Sequence, residues 1–351
     1  PLMSGSELTP MMAQYQAMRK NLPADIILLY RLGDFYEMFF DDAKVAAPIL
    51  NVALTKRHLV PMCGIPWHAS ESYLAKLLKA GKRVAIAEQT SDPKPGKLVQ
   101  REISRILTPG SLDDANLLDT QQNNFLAAVN ALPSAYGLAC IDHSTGSFSV
   151  AQFPSLAALE DELARLQPAE LLVPTQQTAN LGHLSPSQPY DDYAFLTSQA
   201  QSYLTAHFGV HSLDGFGCAH MTAAIGAAGA ALHYLIHQLR RPCAHLRHLQ
   251  VRDQSQHVWI DAASQRNLDL IDSRSGRQHT LLGVMDRTHT PMGARLLRDW
   301  LLHPSRDLSV LESRQDSIAL LLSEPSQLDR SREVLKGVRD IERCTSRLCQ
   351  G

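Results

Sequence analysis

The sequence predicts an α/β protein, with two α/β units followed by a truncated helical segment. Three observations carry that expectation. Short apolar runs suited to buried strands alternate with helix-length amphipathic segments through the first two thirds of the chain. From Trp259 onward the sequence becomes helix-forming and rich in Arg and Leu. Charge divides the chain in the same way. Residues 1–110 carry 14 Lys/Arg and 10 Asp/Glu, residues 111–250 carry 4 and 11 with no lysine, and residues 251–351 carry 15 and 14. Abrupt shifts of this kind mark separate domains with different partners.

The elements follow in order. Thr9-Pro10 starts a helix, with an N-cap residue before proline at the first helical position, and Pro23 ends it. Ile26 to Tyr30 is a strand, Gly33-Asp34 a turn, and Phe35 to Phe40 fits either strand or helix. Asp42 to Leu50 reads as helix. Ser70 to Ala80 is a helix with Ser70 as its cap, apolar Tyr73, Leu74, Leu77 and Leu78, and Gly81 as its stop. Val84 to Ala87 is a buried strand, Asp92 to Lys97 a loop, and Arg101 to Leu107 a strand closed by Thr108-Pro109-Gly110.

A polar bridge, Ser111 to Asn124, leads into the second unit. There Tyr136 to Asp142 and Ser147 to Phe153 form a hairpin through His143-Ser144-Thr145-Gly146. Leu156, Leu159, Leu163 and Leu166 mark an amphipathic helix, Leu171 to Val173 a strand, and Pro174 to Asp192 a Pro/Gln/Ser-rich loop. Ala223 to Leu239 is a helix whose Gly226, Gly229 and Ala230 allow close backbone approach. In the third unit Thr290-Pro291 starts a helix that stops before Pro304, and Ser309 to Glu312 has capping-box spacing. The chain ends at Gly351 without a closing element, so this unit is read as truncated. The domains are then 8–112, a linker 113–124, 125–256, and 257–351. Pro1-Leu2, ahead of Met3, reads as a cloning remnant.

A length of 351 residues suggests two or three domains at roughly 150 residues each. Hydrophobic content of 44% with 19% charged residues excludes a disordered chain. No apolar run reaches the ~18 residues a bilayer span needs, and no signal peptide is visible. Six cysteines without paired spacing fit reduced thiols in a cytosolic protein. The most basic stretch is 56–105, with 10 Lys/Arg against 4 acids, which suits a phosphate-contacting surface or a solvated helix face.

No Walker phosphate loop, nucleophile elbow or zincin motif occurs. His233 and His237, four apart on a helix, with Cys243, His245 and His248 nearby, have spacing that suits zinc, although Pro242 breaks the run and ordinary surface histidines are the simpler reading. Asp142 on a hairpin strand, with Glu160, Asp161 and Glu162 on the next helix, leaves open a nuclease-like carboxylate site for Mg²⁺. The sharpest local feature is Phe35-Tyr36-Glu37. On an extended backbone Phe35 and Glu37 project together. An exposed ring can wedge into a base step, and a carboxylate beside it can read a base edge. The alternative is a strand with Phe35 in the core.

Thr9-Pro10-Met11-Met12, Tyr30 to Phe39, Leu54 to Arg57, Pro61 to Ala69, Val84 to Gln89 and Thr108-Pro109-Gly110 occur in an order that resembles the start of the MutS DNA mismatch-recognition family. Pro168 to Leu172 and Gly215-Phe216-Gly217 resemble that family's connector domain. Asp261 to Leu268 and Thr290 to Leu297 resemble the start of its helical core, or lever. The resemblance implies a mixed-sheet mismatch-binding domain and a ribonuclease-H-like connector without nuclease activity. It implies that Phe35 stacks on a mispaired base and Glu37 hydrogen-bonds it in kinked DNA. Thr55, Lys56, Arg57, Met62, Cys63 and Gly64 would lie near the DNA backbone and minor groove. The implied partners are double-stranded DNA with a mismatch or small insertion/deletion loop, and a MutL-type protein contacted by the connector. A homodimer with ATP and Mg²⁺ is implied for the full-length protein alone. The implied setting is the bacterial cytoplasm, at the nucleoid. His58-Leu59-Val60 is shorter than the corresponding loop in many relatives, and His58 stands where glycine is usual. The rival reading is a non-enzymatic scaffold for a MutL-type partner, whose DNA binding needs domains beyond this sequence.

Overall fold

The computed structural model describes residues 9–91, 99–113, 117–184 and 186–350. The expected loop over Asp92–Lys97 lies outside those residues. The chain forms two compact units, the first from residues 1–112 with Leu235–Arg241, the second from residues 113–234 with 242–351.

The first unit is a six-stranded mixed sheet. Its strands are β1 (Ile26–Leu32), β2 (Phe35–Phe39), β3 (Thr55–Arg57), β4 (Val60–Pro66), β5 (Arg83–Gln89) and β6 (Arg101–Leu107), in the order β3-β4-β2-β1-β5-β6. Among the described residues of this unit only β1 and β5 pair in parallel, and the crossover between them carries α2 (Phe40–Leu50) and α3 (Ser70–Lys79). The helix α1 (Pro10–Lys20) is capped as expected, with Thr9 Oγ1 accepting from the Met12 amide at 3.4 Å. Its Tyr15 meets Phe39 and Tyr30 edge-on, at 5.1 and 5.6 Å between ring centres. Buried Asp42 ties these elements together by accepting from Tyr15 Oη at 2.8 Å, the Leu28 amide at 3.1 Å and Arg19 Nε at 3.1 Å. One expectation resolves and one changes. Residues 35–39 are strand, because all five pair with β4 and residues 35–37 pair with β1 as well. Ser70 is the first helical residue rather than the cap, since a short 3₁₀ turn, Trp67–Ala69, precedes it.

The second unit holds another six-stranded sheet, of β7 (Leu126–Leu132), β8 (Ala135–Asp142), β9 (Ser147–Phe153), β10 (Glu170–Pro174), β11 (Ser187–Tyr190) and β12 (Gln250–Val251). The order is β11-β10-β7-β8-β9-β12. The expected hairpin is β8–β9, but it is preceded by β7, and the Pro/Gln/Ser-rich segment after Pro174 contains β11. One face of the sheet carries α4 (Leu156–Leu166) and the short α5 (Thr178–Leu181). Along the chain follow α6 (Asp192–Phe195), α7 (Thr197–Phe208) and α8 (Thr222–His233), and α8 lies on β7 and β8. A Cβ on Gly137 of β8 would overlap the Ala223 carbonyl, and one on Gly229 would overlap Ala200. The small residues do permit close approach, but the α-helix ends at His233 and gives way to a π turn, Tyr234–Gln238.

Helices complete this unit, as the third segment predicts: α9 (Ala262–Asn267), α10 (Leu281–Met285), α11 (Pro291–Leu302), α12 (Leu308–Ser323), α13 (Pro325–Lys336) and α14 (Ile341–Gln350). Thr290 caps α11 through the Gly293 amide at 3.1 Å. The capping-box reading at Ser309 is corrected, since Asp307 is the cap and accepts from the Ser309 amide at 2.9 Å.

His303, just past α11, has 9% of its side chain exposed and sits between Asp299 at 3.0 Å and Glu162 of α4 at 3.3 Å. Arg165, Arg252 and His257 adjoin these carboxylates. Burial alone would lower the imidazole pKa, but the hydrogen bonds to Asp299 and Glu162 outweigh it and hold it at about 9. The raised value stabilises the folded state fully below about pH 6.5, and that contribution is lost as pH rises through about 9. Because Asp299 is partly solvated, the expected loss is about 2 kcal/mol. Urea midpoints measured across this range check it, with His303→Gln flattening the dependence. An unchanged slope in that variant refutes the assignment.

Candidate nucleic-acid interface

Gly33 allows the turn that presents Phe35. The closing pair of the β1–β2 hairpin is Leu32 with Phe35, so Gly33 and Asp34 form a two-residue turn. Gly33 takes a left-handed φ of +59° that a side chain would resist. Phe35 therefore emerges at the rim of the sheet and is 48% exposed, which excludes the core reading of this ring.

Register decides what shares its face. Phe35 pairs with Pro66, Glu37 with Gly64 and Phe39 with Met62, while Thr55 pairs with Met62 and Arg57 with Val60. Residues directly opposite one another point to the same side. Phe35, Glu37, Thr55, Arg57, Met62 and Gly64 thus lie on one face. Helix α1 covers the inner part of that face through Phe39, leaving the Phe35 end open. Lys56 and Cys63 alternate to the other side. Lys56 is exposed on the edge strand, whereas Cys63 is fully buried, with its thiol 3.6 Å from the Ala43 carbonyl. Burial pushes that thiol up to about 11. The Cys63 side chain is therefore turned away from the face that bears Phe35.

Glu37 is the less expected member. It is 9% exposed and receives Arg57 Nη1 at 2.8 Å. Opposite it, Gly64 adds no side chain, and a Cβ there would come within 3.5 Å of Glu37 Cγ. The carboxylate is thus held against the sheet by a cation twenty positions away in sequence. Close by, Trp67 is 48% exposed, its amide bonds the Asp34 carbonyl at 2.8 Å, and the Arg31 guanidinium stacks on its ring at 4.2 Å. This second exposed aromatic follows the Pro66 that pairs with Phe35. Sequence reasoning passed over it as one member of the Pro61–Ala69 run.

The other candidates disperse. Asp142 is fully buried, and its carboxylate accepts from Asn123 Nδ2 at 2.8 Å, the Asn124 amide at 3.1 Å, the Ser144 amide at 3.0 Å and Ser144 Oγ at 2.6 Å. Its lone pairs are committed to the β8–β9 turn and to the segment that enters β7. Glu160 pairs with His183, Asp161 accepts from the Ala262 amide, and Glu162 pairs with Arg165 and His303. These carboxylates do not converge, so the nuclease reading is corrected to a structural one. Among the histidines, His233 Nδ1 bonds Tyr190 Oη at 2.7 Å and His245 Nε2 bonds the His143 carbonyl at 2.9 Å. The π turn after His233 removes the α-helical geometry that the four-residue spacing assumes. Among the described residues no group of three or more His, Cys, Asp or Glu side chains is placed to hold a metal ion. No helix among them is long and apolar enough to cross a membrane.

Comparison with known proteins finds three family models in succession along the chain. Residues 9–116 match the family model of MutS domain I, 124–250 that of MutS domain II, and 263–351 that of MutS domain III. A curated relative, the DNA mismatch repair protein MutS of Protochlamydia amoebophila (strain UWE25), is 42% identical over 96% of this chain. The chain spans 41% of that relative's length. With three successive domain models in order and that identity, the chain belongs to the MutS family.

Proposed function

We propose that the first unit recognises mispaired bases in duplex DNA, for mismatch repair. The observation that carries this reading is Phe35, an aromatic ring half exposed at the open end of a sheet face that also bears Glu37, Arg57, Thr55 and Met62. A mismatch weakens pairing and stacking, so kinking there costs less than at a paired step. Phe35 enters the minor groove, stacks on the mispaired base and holds the kink, at a few kcal/mol of unstacking. Discrimination is therefore mostly a measurement of local deformability.

Glu37 adds direction. A carboxylate among phosphates is unfavourable by itself, and in the free protein Arg57 offsets it. A phosphate competes for the same guanidinium, which is 38% exposed. Glu37 is then free to accept a hydrogen bond from the displaced base. Thr55, Lys56, Met62 and the Gly64 backbone flank this contact. In a chain of the relatives' length we further propose a homodimer using ATP and Mg²⁺, a MutL-type partner on the second unit, and a place in the bacterial cytoplasm at the nucleoid.

The test is a paired titration of this chain with a mismatched or one-base-bulged duplex and its perfect counterpart, over a range of salt. Tighter binding of the mismatched duplex is expected, and equal affinities defeat the reading. Salt slope reports phosphate contacts independently. Arg57→Gln is expected to reduce the slope of log affinity against log salt by about one. An unchanged slope removes Arg57 from the phosphate contacts.

A further inference from the structure

The hairpin between β3 and β4 turns on His58 and Leu59, and both have left-handed backbones, with φ of +47° and +66°. Arg57 pairs with Val60 across them, so the turn has two residues and both carry positive φ. Asn-Gly suits that geometry, whereas a bulky residue such as leucine is an outlier in it. Burial does not compensate, because Leu59 is 83% exposed. An apolar side chain is thus held out from the fold by a backbone that opposes it. Strain of this kind persists where the surroundings over-determine it, and it gathers at binding sites.

The surroundings indicate what it meets. Two basic residues immediately precede the turn, Lys56 exposed on one side of the edge strand and Arg57, paired with Glu37, on the other. An apolar wedge flanked by basic side chains matches the way proteins enter a nucleic-acid groove. The tip is separate from the Phe35 contact. Leu59 directly precedes β4, and Phe35 pairs with Pro66, seven residues farther along that strand. Seven residues of strand span about 23 Å, or about seven base-pair rises.

We propose that Leu59 is a second apolar contact with duplex DNA, entering the groove several base pairs from the step held by Phe35, with the two basic residues on flanking phosphates. It rests on the function proposed above and adds a point at which the duplex is gripped away from the lesion. The strained turn sets the direction of the side chain before binding, so little ordering remains to be done on contact.

Two substitutions separate this role from a structural one. Leu59→Gly relieves the left-handed strain and is expected to raise the thermal midpoint. It is also expected to weaken binding of a long mismatched duplex about tenfold. Leu59→Ala keeps the strain and is expected to weaken binding similarly without raising the midpoint. On a duplex cut to about five base pairs either side of the mismatch, shorter than the ~23 Å span, both losses should vanish. Unchanged affinity of Leu59→Gly for the long duplex, with a raised midpoint, overturns the proposal and leaves a merely strained turn. Phe35→Ala, measured in parallel, separates the two failures. If Phe35→Ala removes mismatch preference and Leu59→Gly is silent, only the Leu59 contact falls. If Phe35→Ala leaves the preference intact, or the unsubstituted chain binds neither duplex, the underlying reading falls and this one with it.

Discussion

Phe35→Ala is expected to abolish the preference for a mismatched duplex while leaving the fold and homoduplex binding nearly unchanged. The ring is 48% exposed and lies at the sheet rim, so its loss removes little packing. The stability change should stay within about 0.5 kcal/mol. Stacking of an aromatic ring on a base contributes about 1–3 kcal/mol. Removing it should lower mismatch affinity about five- to 150-fold. Homoduplex affinity comes from phosphate contacts, which the ring does not make. Phe35→Leu, still an apolar wedge but without a π face, is expected to retain part of the preference. Anisotropy titrations of both duplexes at matched salt give the ratio directly. If both affinities fall together, Phe35 contributes to general DNA binding or to folding, and the wedge assignment is lost.

What could be read from the sequence was local. Thr9-Pro10 and Thr290-Pro291 cap helices because capping needs only adjacent residues, and the β8–β9 hairpin follows from two alternating runs around His143–Gly146. The shared face of Phe35 and Glu37 follows from strand alternation once the segment is extended. Long-range partners were hidden. Nothing in the order of residues shows that Arg57 closes on Glu37, or that Asp142 is saturated by Asn123, Asn124 and Ser144. Both side chains looked like available carboxylates because their donors are set by tertiary folding. Two edge strands were missed for another reason. β11 is four residues long with Pro189 inside it, and β3 is three residues long, so neither offers enough period to register. The strained His58-Leu59 turn carries no turn residue at all and shows itself only in the backbone.

The largest stability effect is expected at Arg295. This guanidinium is 4% exposed and grips Asp340 with two parallel hydrogen bonds of 2.7 Å. It also reaches Glu342 at 2.7 Å and the Thr120 carbonyl at 3.0 Å. Asp340 in turn accepts from the Arg343 amide at 3.3 Å, at the start of α14. Arg343, 2% exposed, donates to Ser144 Oγ at 3.1 Å and to the carbonyls of Asp119 and Gln122 at 3.0 and 2.7 Å. One buried network therefore holds α11 and α14 to the segment entering β7 and to the β8–β9 turn. Arg295→Ala leaves the Asp340 carboxylate without its main partner, and about 3–5 kcal/mol of stability should be lost. Arg295→Lys should recover only a fraction, since an ammonium cannot make the paired contact. Trp259 and Trp300 lie in the second unit and Trp67 in the first, so each can be followed by single-tryptophan variants in urea. The midpoint reported by Trp259 should fall, and the one reported by Trp67 should not. A loss below about 1 kcal/mol would place Arg295 among ordinary surface ion pairs. Replacing Arg295 and Asp340 together by apolar residues should cost less than Arg295→Ala, because most of the single-variant penalty is an unpaired buried charge.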